Sequence, residues 1–365
     1  MKILITGGAG FLGLHLTHKV VTEGHEAILL DIADYEKQEY PLKNVTFIKG
    51  DVRDKEKVLE ALNGVEHVVH CAAALPLADK KEIFSTNIDG TRNMLEICFQ
   101  KKIKRFIFIS STAVYGVPDV HPLLEDHPLI GVGNYGKSKI QAEKVCLEYR
   151  GKGMVVTIIR PKTFIGTYRL GVFQILYDWV LNGAKVPFIG NGKNRYQLLE
   201  VDDLCDAIYL ALIIKDNKLA NDTYNVGAKD FTTVREDMDA LCNYAAEGSK
   251  SFGIPVFLCI PILRLLEILH LSPLYKWVYG TAYKDSFVSI EKIEKNLGWK
   301  PKYSNRDALI RSYNWYLKNH IEIEKEKSGI SHRVPWSQGA LKLGRLLFKI
   351  GRKKRKKKQL SEKNI

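Results

Sequence analysis

The sequence predicts an α/β protein that combines a doubly wound parallel sheet with a smaller C-terminal substrate lobe. Over the first 160 residues, short apolar runs alternate with amphipathic helical stretches. This is the pattern of parallel βαβ units whose strands are buried on both faces. A glycine-rich turn follows the first apolar run directly, as in nucleotide-binding domains. After residue 165 the alternation is no longer regular, so we assign most of the later chain to a second unit.

The predicted elements of the first part are six strands separated by helices. The strands cover residues 2–6, 27–31, 45–50, 66–71, 105–110 and 154–160. Amphipathic stretches at 55–62, 88–99 and 135–149 predict the helices between them. Residues 1–165 with parts of 195–228 are predicted to form the nucleotide-binding domain, and residues 166–194 and 229–320 the substrate-binding lobe. Residues 321–365 are predicted to be a linker and a basic amphipathic tail.

The composition indicates a folded globular protein with a strongly basic C-terminal tail. Of the 365 residues, 45% are hydrophobic and 26% charged, which excludes disorder for most of the chain. Residues 341–365 hold eleven Lys or Arg and one Glu, so +10 of the formal net charge of +14 belongs to the tail. The six cysteines form no C-x-x-C motif, and we expect reduced thiols and a cytoplasmic protein. The N-terminus enters a strand at once and the apolar run 252–263 is short, so neither a signal peptide nor a membrane span is expected.

The stretch "TGGAGFLG", residues 6–13, predicts a dinucleotide-binding loop between the first strand and the first helix. Gly7 permits the tight turn, Gly10 lets the backbone approach a pyrophosphate, and Gly13 allows the helix to pack closely on the strand. The first helical residues, Phe11 and Leu12, would offer backbone N–H groups and the positive end of the helix dipole to the phosphates. The loop and its surroundings together predict a Rossmann fold.

Further cofactor contacts are predicted at the ends of the next three strands. Asp31 ends the second strand, where its carboxylate would accept from the ribose hydroxyls and repel a 2′-phosphate, so NAD is favoured over NADP. In "GDVRD", residues 50–54, Asp51 and the adjacent Val52 would lie near the adenine, although Asp51 could instead cap the helix that starts near residue 55. In "HCAAA", residues 70–74, the small Ala72 would let the cofactor pass close to the backbone.

The stretch "NYGKSK", residues 134–139, predicts the centre of the chemistry. Tyr135 and Lys139 are four residues apart and therefore share one face of a helix. A tyrosine has a free pKa of about 10, so it needs nearby positive charge to act as a general base, and Lys139 and a nicotinamide ring could supply it. The fifth strand ends in Ser110, Ser111 and Thr112, whose hydroxyls could donate to a substrate oxygen.

These motifs resemble those of the extended short-chain dehydrogenase/reductases, the NAD-dependent epimerase/dehydratase group. The resemblance covers roughly residues 1–320 and also includes "SSTAVYG", "RPKTFIG" and "VDDLCDAI". It implies NAD as the cofactor, Tyr135 as the general base and Lys139 as the residue that binds ribose and lowers the tyrosine pKa. It further implies Ser111, four residues before Tyr115, as the donor to the substrate oxygen, and Pro161 beside the nicotinamide.

The substrate remains open between two enzymatic hypotheses and one without catalysis. The first is oxidation or reduction of a secondary alcohol or ketone of a lipid-like or sterol-like kind, and the second is a nucleotide-sugar epimerase or dehydratase that retains its NAD. The third is a dinucleotide-binding regulator. We favour the first because residues 252–275 resemble the apolar segment of the 3β-hydroxysteroid-dehydrogenase-like branch, although a core helix of the small lobe is an equal alternative.

A second comparison concerns the arginine with which sugar-nucleotide enzymes commonly hold a diphosphate. In "GNGKNRYQLLEVDDL" the aligned position is occupied by Tyr196, and Arg195 stands one residue earlier. Strand side chains alternate between faces, so this offset predicts that Arg195 points away from the site. No histidine or cysteine spacing predicts a metal site.

The tail, residues 336–358, is predicted to be a basic interfacial helix on an anionic membrane surface. Its apolar side would hold Trp336, Ala340, Leu343, Leu347 and Ile350, with Lys342, Arg345, Lys349 and Arg352 opposite. A nucleic-acid partner is disfavoured because an apolar side has no use on DNA, and a solvated tail is the simpler alternative. The enzyme would then be peripheral on the inner face of a membrane, with a homodimer left open.

Overall fold

The structure is a computed structural model that describes residues 1–34, 43–168, 170–269 and 276–323. The predicted interfacial helix at 336–358 lies outside these residues. The strands are β1 (Lys2–Thr6), β2 (Glu26–Asp31), β3 (Val45–Lys49), β4 (His67–His70), β5 (Arg105–Ile109), β6 (Val156–Pro161), β7 (Thr163–Ile165), β8 (Val186–Ile189), β9 (Leu198–Glu200), β10 (Thr223–Val226) and β11 (Ser251–Ile254).

Thirteen α-helices occur in the described residues. They are α1 (Phe11–Thr22), α2 (Lys55–Ala61), α3 (Lys80–Phe84), α4 (Thr91–Gln100), α5 (Gly133–Gly151), α6 (Phe173–Leu181), α7 (Val201–Ile213), α8 (Asn217–Ala220), α9 (Val234–Ala245), α10 (Val256–Ile268), α11 (Lys276–Thr281), α12 (Glu291–Leu297) and α13 (Asn305–Ile323). A π-helical segment, Ser85–Gly90, connects α3 to α4, and a 3₁₀ turn, Thr112–Tyr115, follows β5.

The central sheet has seven parallel strands in the order β3-β2-β1-β4-β5-β6-β10. The first six follow the strand order of a Rossmann fold, so the predicted fold class is confirmed. In register, Ile5 of β1 lies beside Leu29 of β2 and Val69 of β4. The carboxyl ends of the strands therefore meet at one edge of the sheet, where the predicted cofactor residues also lie.

Apolar side chains on both faces of this sheet hold the helices against it. One cluster joins the sheet to α1 and α7, with Leu14 and Leu204 fully buried, and the other joins it to α2, α4 and α5, with Val58 and Met94 fully buried. Burial of a leucine-sized side chain contributes roughly 1.5–3 kcal/mol each. This two-sided burial explains why the strands read as continuous apolar runs in the sequence.

The later chain builds two short parallel pairs, β8 with β11 and β7 with β9. A third apolar cluster connects α6, α9 and α13 through Tyr177, Trp179, Tyr313 and Tyr316. Strand β10 joins the large sheet, and α7 packs on α1. The division of the chain at residues 165, 195–228 and 320 stays a prediction.

The interpretation of the apolar segment 252–275 as a core helix is wrong for the part that forms helix α10. Only Cys259 and Leu263 of this helix are buried. The side chains on its outer face and at its end are exposed, with Phe257 at 75%, Leu258 at 49%, Ile262 and Leu265 at 57%, Ile268 at 66% and Leu269 at 53%. A contiguous exposed apolar face is typical of an interaction surface. No helix within the described ranges is long and apolar enough to cross a membrane.

Candidate active site

The glycine loop forms a close contact between β1, the start of α1 and the chain after β4. Gly7 has a φ of +68°, and a Cβ there would lie 2.9 Å from the Ala72 nitrogen. At Gly13 a Cβ would lie 2.3 Å from the Gly7 oxygen and 2.6 Å from the Gly8 oxygen. Among the described residues, no side chain caps the N-terminus of α1, whose N-cap is Gly10. This bare helix start fits a diphosphate, because its backbone N–H groups and positive potential are available to an anion.

Asp31 lies beside this loop at the end of β2. Its Oδ2 accepts from the Ala9 backbone N–H at 2.9 Å, and its Oδ1 accepts from that of Ala33 at 2.8 Å. The carboxylate is thereby fixed next to the glycine loop. A 2′-phosphate brought to this place would meet a like charge.

We expect the protein to bind NAD(H) more tightly than NADP(H). The substitution Asp31→Asn should reduce the ratio of these two affinities about tenfold or more. The amide keeps an oxygen that can accept from Ala9 but removes the charge that repels a 2′-phosphate. Titration of both cofactors by intrinsic fluorescence measures the effect, with Asp34→Asn as an exposed control. Equal affinity of the unsubstituted protein for both cofactors would show that Asp31 does not select the cofactor.

The other predicted cofactor residues differ in their surroundings. Asp51 is held by Arg53, whose Nη2 lies 2.6 Å from Oδ2, and this hydrogen bond lowers the pKa of Asp51 despite the opposing effect of burial. The interpretation of Asp51 as the cap of α2 is wrong, because Asp54 caps that helix by accepting from the N–H groups of residues 56 and 57. The Val52 side chain is buried, and its carbonyl accepts from Asn93 at 2.7 Å.

Ala72 and the chain after β4 are fixed from two sides. The Ala72 N–H donates to Thr6 Oγ1 at 3.2 Å. Asn87 accepts from the Ala74 N–H at 2.8 Å and donates to Ser138 Oγ of α5 at 2.9 Å. These bonds place the segment 71–74 between the glycine loop and the helix that carries Tyr135.

Helix α5 places Tyr135 and Lys139 at the same edge of the sheet. Lys139 is buried, its Nζ donates to the Ile109 carbonyl at 2.8 Å, and Nζ lies 5.9 Å from the centre of the Tyr135 ring. Burial lowers the pKa of Lys139 to about 8, so the ammonium form still predominates at pH 7. The ammonium group is therefore anchored to β5 while facing the tyrosine ring.

The two serines at the end of β5 point in different directions. Ser110 Oγ donates to Glu143 at 2.5 Å, and Glu143 is in turn held by Arg160 of β6 at 2.7 Å. Ser111 Oγ accepts from the Ala113 N–H at 3.1 Å and stands near the Tyr135 hydroxyl. The structure thus brings Ser111, and not Ser110, together with Tyr135, while the role of Ser111 stays a prediction.

The pKa of Tyr135 differs from what the sequence led us to expect. Burial raises it to about 12, and the nearby Ser111 hydroxyl only partly opposes this shift. Lys139 does not lower it below the ordinary value in the protein alone, because the ammonium group bonds the Ile109 carbonyl and burial of the phenol dominates. A second positive charge near the hydroxyl is therefore needed before Tyr135 can act as a base at neutral pH.

A pocket next to these residues adds three polar side chains that were not predicted from the sequence, His121, Lys162 and Ser286. Its wall includes Thr112, which directly follows Ser111, together with His121, Lys162, Tyr196 and Ser286. Lys162 directly follows Pro161, the residue expected beside the nicotinamide. A lysine at the end of a buried strand was the available signal for Lys162. No sequence signal pointed to His121 or Ser286, because folding alone brings these distant segments together.

The prediction about Arg195 and Tyr196 is confirmed. The Arg195 guanidinium lies over the rings of Phe231 and Phe287, at 4.6 and 4.7 Å from their centres. Tyr196 faces the pocket instead, and its hydroxyl is 3.1 Å from Thr163 Oγ1. The pocket therefore lacks the arginine that the sugar-nucleotide pattern would place there.

Residues 3–227 match the model of the NAD dependent epimerase/dehydratase family. The chain belongs to this family. The predicted family and its dependence on NAD are thus confirmed. Because the matched region contains the glycine loop, Asp31, Ser111, Tyr135 and Lys139, the candidate site lies within the part that identifies the family.

Relatives within this family carry names from both substrate hypotheses. An uncharacterized protein of Sinorhizobium fredii, y4nG, is 35% identical and is matched over 93% of this chain and 84% of its own length. A putative UDP-glucose 4-epimerase of Methanocaldococcus jannaschii is 29% identical over 87% of this chain and 99% of its own. The human sterol-4-alpha-carboxylate 3-dehydrogenase, decarboxylating, is 27% identical over 85% of this chain and 87% of its own. Both chemistries therefore remain open at the level of the family.

Solved structures agree with the fold. The UDP-glucose 4-epimerase of Thermus thermophilus in complex with NAD has a TM-score of 0.70 at 26% identity, covering 87% of this chain and 99% of its own. The UDP-glucuronic acid 4-epimerase of Bacillus cereus, also in complex with NAD, has a TM-score of 0.73 at 22% identity over 87% and 99%. The second likeness concerns the fold alone.

Proposed function

We propose that this protein is an NAD-dependent enzyme that moves hydride at a secondary alcohol carbon of a polar substrate of the nucleotide-sugar type. The observation that supports the reaction is the grouping of Ser111, Tyr135 and Lys139 beside the bare N-terminus of α1. A regulator without turnover would not need an ionisable tyrosine between a buried ammonium group and a serine hydroxyl. This grouping therefore favours catalysis over the regulatory hypothesis.

In this proposal each side chain has one task. Tyr135 takes the proton of the substrate hydroxyl, Ser111 donates to the same oxygen, and Lys139 keeps a positive charge near the phenol while also binding ribose. Residues Gly7, Gly10, Phe11, Leu12, Gly13, Asp31, Asp51, Val52, Ala72 and Pro161 would border the cofactor. When bound, NAD supplies the hydride acceptor and the further positive charge that the raised pKa of Tyr135 calls for.

The pocket beside Ser111 supports this choice of substrate class. Hydroxyl groups, the Lys162 amine, the His121 imidazole and the Asp285 carboxylate line it together with apolar residues that include Val117, Pro118 and Leu123, and Lys162 is 4% exposed. A sterol ring system placed there would leave the two buried ring nitrogens of His121 without partners, which costs about 1–3 kcal/mol for each group. A sugar with hydroxyl and anionic groups would satisfy them. This lining favours the nucleotide-sugar alternative over the lipid-like substrate that the sequence led us to prefer.

A substrate screen tests the proposal on the full-length protein with NAD. We expect UDP-glucose or UDP-glucuronic acid to be converted to an epimer, seen by chromatography, without net formation of NADH. Stoichiometric NADH with a sterol 4-carboxylate, and no change of the UDP-sugars, would instead support the second candidate below. Failure of both substrate classes with a protein that binds NAD would contradict the proposed reaction.

The second candidate, a lipid-like alcohol as substrate, is supported by helix α10. Its outer face exposes Phe257, Ile262, Leu265 and Ile268 beside a single exposed charge, Arg264. In this candidate, α10 and the basic tail hold the enzyme on the cytoplasmic face of a membrane. Apolar side chains would enter the interface while cations of the tail lie near anionic headgroups, each adding roughly 1 kcal/mol.

We expect full-length protein to sediment with anionic liposomes at low salt and a chain ending at Ile330 to sediment much less. High salt should weaken binding of the full-length protein, because screening reduces the attraction between the tail and the lipid. A full-length Ile262→Ser, Leu265→Ser variant tests the contribution of α10, and neutral liposomes serve as the control. Recovery of full-length protein in the supernatant with anionic lipid would exclude the membrane attachment.

A further inference from the structure

Lys162 is a buried lysine with no carboxylate paired to it among the described residues. It extends from the end of β6 into the pocket and is 4% exposed. Its Nζ donates to Ser286 Oγ at 2.6 Å and lies 4.8 Å from the centre of the Tyr196 ring. Among the described residues, none places a carboxylate within ion-pair distance of Nζ. Burial lowers the pKa of Lys162 to about 7, so an anion bound beside the amine would stabilise its charged form.

His121 on the same pocket wall is also unsatisfied. Its ring packs on Phe287 with the centroids 4.8 Å apart. Both ring nitrogens are buried, and within the described part of the chain neither has a hydrogen-bond partner. Burial lowers the pKa of His121, so the ring is neutral at pH 7 and one nitrogen carries a hydrogen that it can donate. Lys162 and His121 therefore offer two donors to one pocket.

The remaining charged group of this pocket is Asp285, and its carboxylate is already engaged. Its Oδ1 accepts from the Arg195 backbone N–H at 2.8 Å. Arg195 itself is stacked on two phenylalanine rings and directs no charge into the pocket. Lys162 thus extends from the end of β6 and places its amine 4.8 Å from the centre of the ring of Tyr196, which stands where the sugar-nucleotide pattern has arginine.

We propose that Lys162 and His121 form a binding subsite for an anionic oxygen group of the substrate, a carboxylate or a phosphate, next to the reacting hydroxyl. This inference rests on the proposed function, because it assigns part of the substrate of that site. The anion would accept from Lys162 Nζ and the His121 ring and thereby provide the missing countercharge. Ser286, which accepts from Nζ, orients the ammonium group.

The test compares anion binding by the unsubstituted full-length protein and by Lys162→Met, with NAD present. Methionine retains most of the length of lysine without the charge, and the substitution removes only the hydrogen bond to Ser286 and the contact of the ammonium group with the Tyr196 ring. The probes are UDP-glucuronic acid, UDP-glucose, UDP and inorganic phosphate, measured by calorimetry. We expect a loss of about 10- to 100-fold in affinity for the anionic group that occupies the subsite. Lys162→Arg is expected to restore part of it.

The probes distinguish the two sources of the anion. A loss for UDP-glucuronic acid with unchanged UDP-glucose and UDP identifies a carboxylate, whereas an equal loss for all nucleotides and for inorganic phosphate identifies a phosphate. His121→Phe, which keeps the ring packing on Phe287, should weaken the same probe about 2- to 10-fold. Lys185→Met, at an exposed position outside the pocket, controls for the change in net charge.

Two outcomes overturn the inference. The first is unchanged affinity of Lys162→Met for every probe, and the second is binding of NAD but of no anionic probe by the unsubstituted protein. Titration of NAD alone is a separate measurement that does not involve Lys162. If the unsubstituted protein does not bind NAD, the proposed function is contradicted. Anion binding to the pocket can still be measured on its own in that case.

Discussion

Replacing Tyr135 with phenylalanine is expected to lower turnover about 10²- to 10⁴-fold and to leave the affinity for NAD within about twofold. The substitution deletes only the ionisable hydroxyl, so the loss corresponds to general acid–base catalysis. The ring, which faces Lys139 Nζ at 5.9 Å, is retained together with the packing of α5. Turnover is measured on the UDP-sugar or sterol that the unsubstituted protein converts, and cofactor affinity by fluorescence titration.

Tyr149→Phe is the matched control for this experiment. Tyr149 lies on the same helix, is buried, and packs edge-on against Phe99, far along α5 from the candidate site. We expect this variant to keep its activity. Near-normal turnover of Tyr135→Phe would show that Tyr135 is not the base, and a shared loss in both variants would indicate damage to the helix instead.

The large sheet could be predicted because its signals are local. The inner strands of the parallel sheet are buried on both faces and therefore have continuous apolar sequences, as "KILIT" and "RFIFI" show, whereas the edge strand β3 is only partly buried. The connecting helices carry one apolar face each, and Gly7 and Gly13 occupy positions where a side chain would collide with the backbone. For these elements, residue types next to one another in the sequence are sufficient.

The burial of helix α10 could not be predicted from its local sequence. Its apolar sequence is compatible with a core helix and with a surface helix, because hydrophobicity alone does not say which partner covers it. The structure leaves six large apolar side chains of this helix and its end exposed. Local sequence was also insufficient for the choice between sterol-like and sugar-like substrates. The apolar segment 252–275 favoured a sterol-like substrate, and the polar groups around Lys162 could not be recognised as one pocket.

The pocket residues were missed for a different reason. Lys162, His121 and Ser286 are separated by up to 165 positions in the chain, and neither their spacing nor their neighbours form a motif. Their common environment exists only after the loop following β5, the end of β6 and the segment before α12 have come together. Tyr135 and Lys139 were found because a single helix holds both, so their spacing already encodes their proximity.

Gly13→Ala is expected to weaken NAD binding about 100-fold or more. A Cβ at this position would lie 2.3 Å from the Gly7 oxygen and 2.6 Å from the Gly8 oxygen, and these atoms belong to backbone that cannot rotate away. The start of α1 must then move away from the loop, and the backbone N–H groups that would bind the diphosphate move with it. A displacement near 1 Å in such a site is sufficient for a loss of this size.

Gly151→Ala is the control for this substitution, because it adds the same methyl group at the end of α5, where no atom lies within 4 Å. It should bind NAD normally and be equally or slightly more stable, since alanine restricts the unfolded chain. Both variants are titrated with NAD by fluorescence at a temperature at which circular dichroism shows them folded. Normal NAD affinity of Gly13→Ala would mean that the cofactor does not bind at the start of α1, and the assignment of Gly7, Gly10 and Gly13 would have to be abandoned.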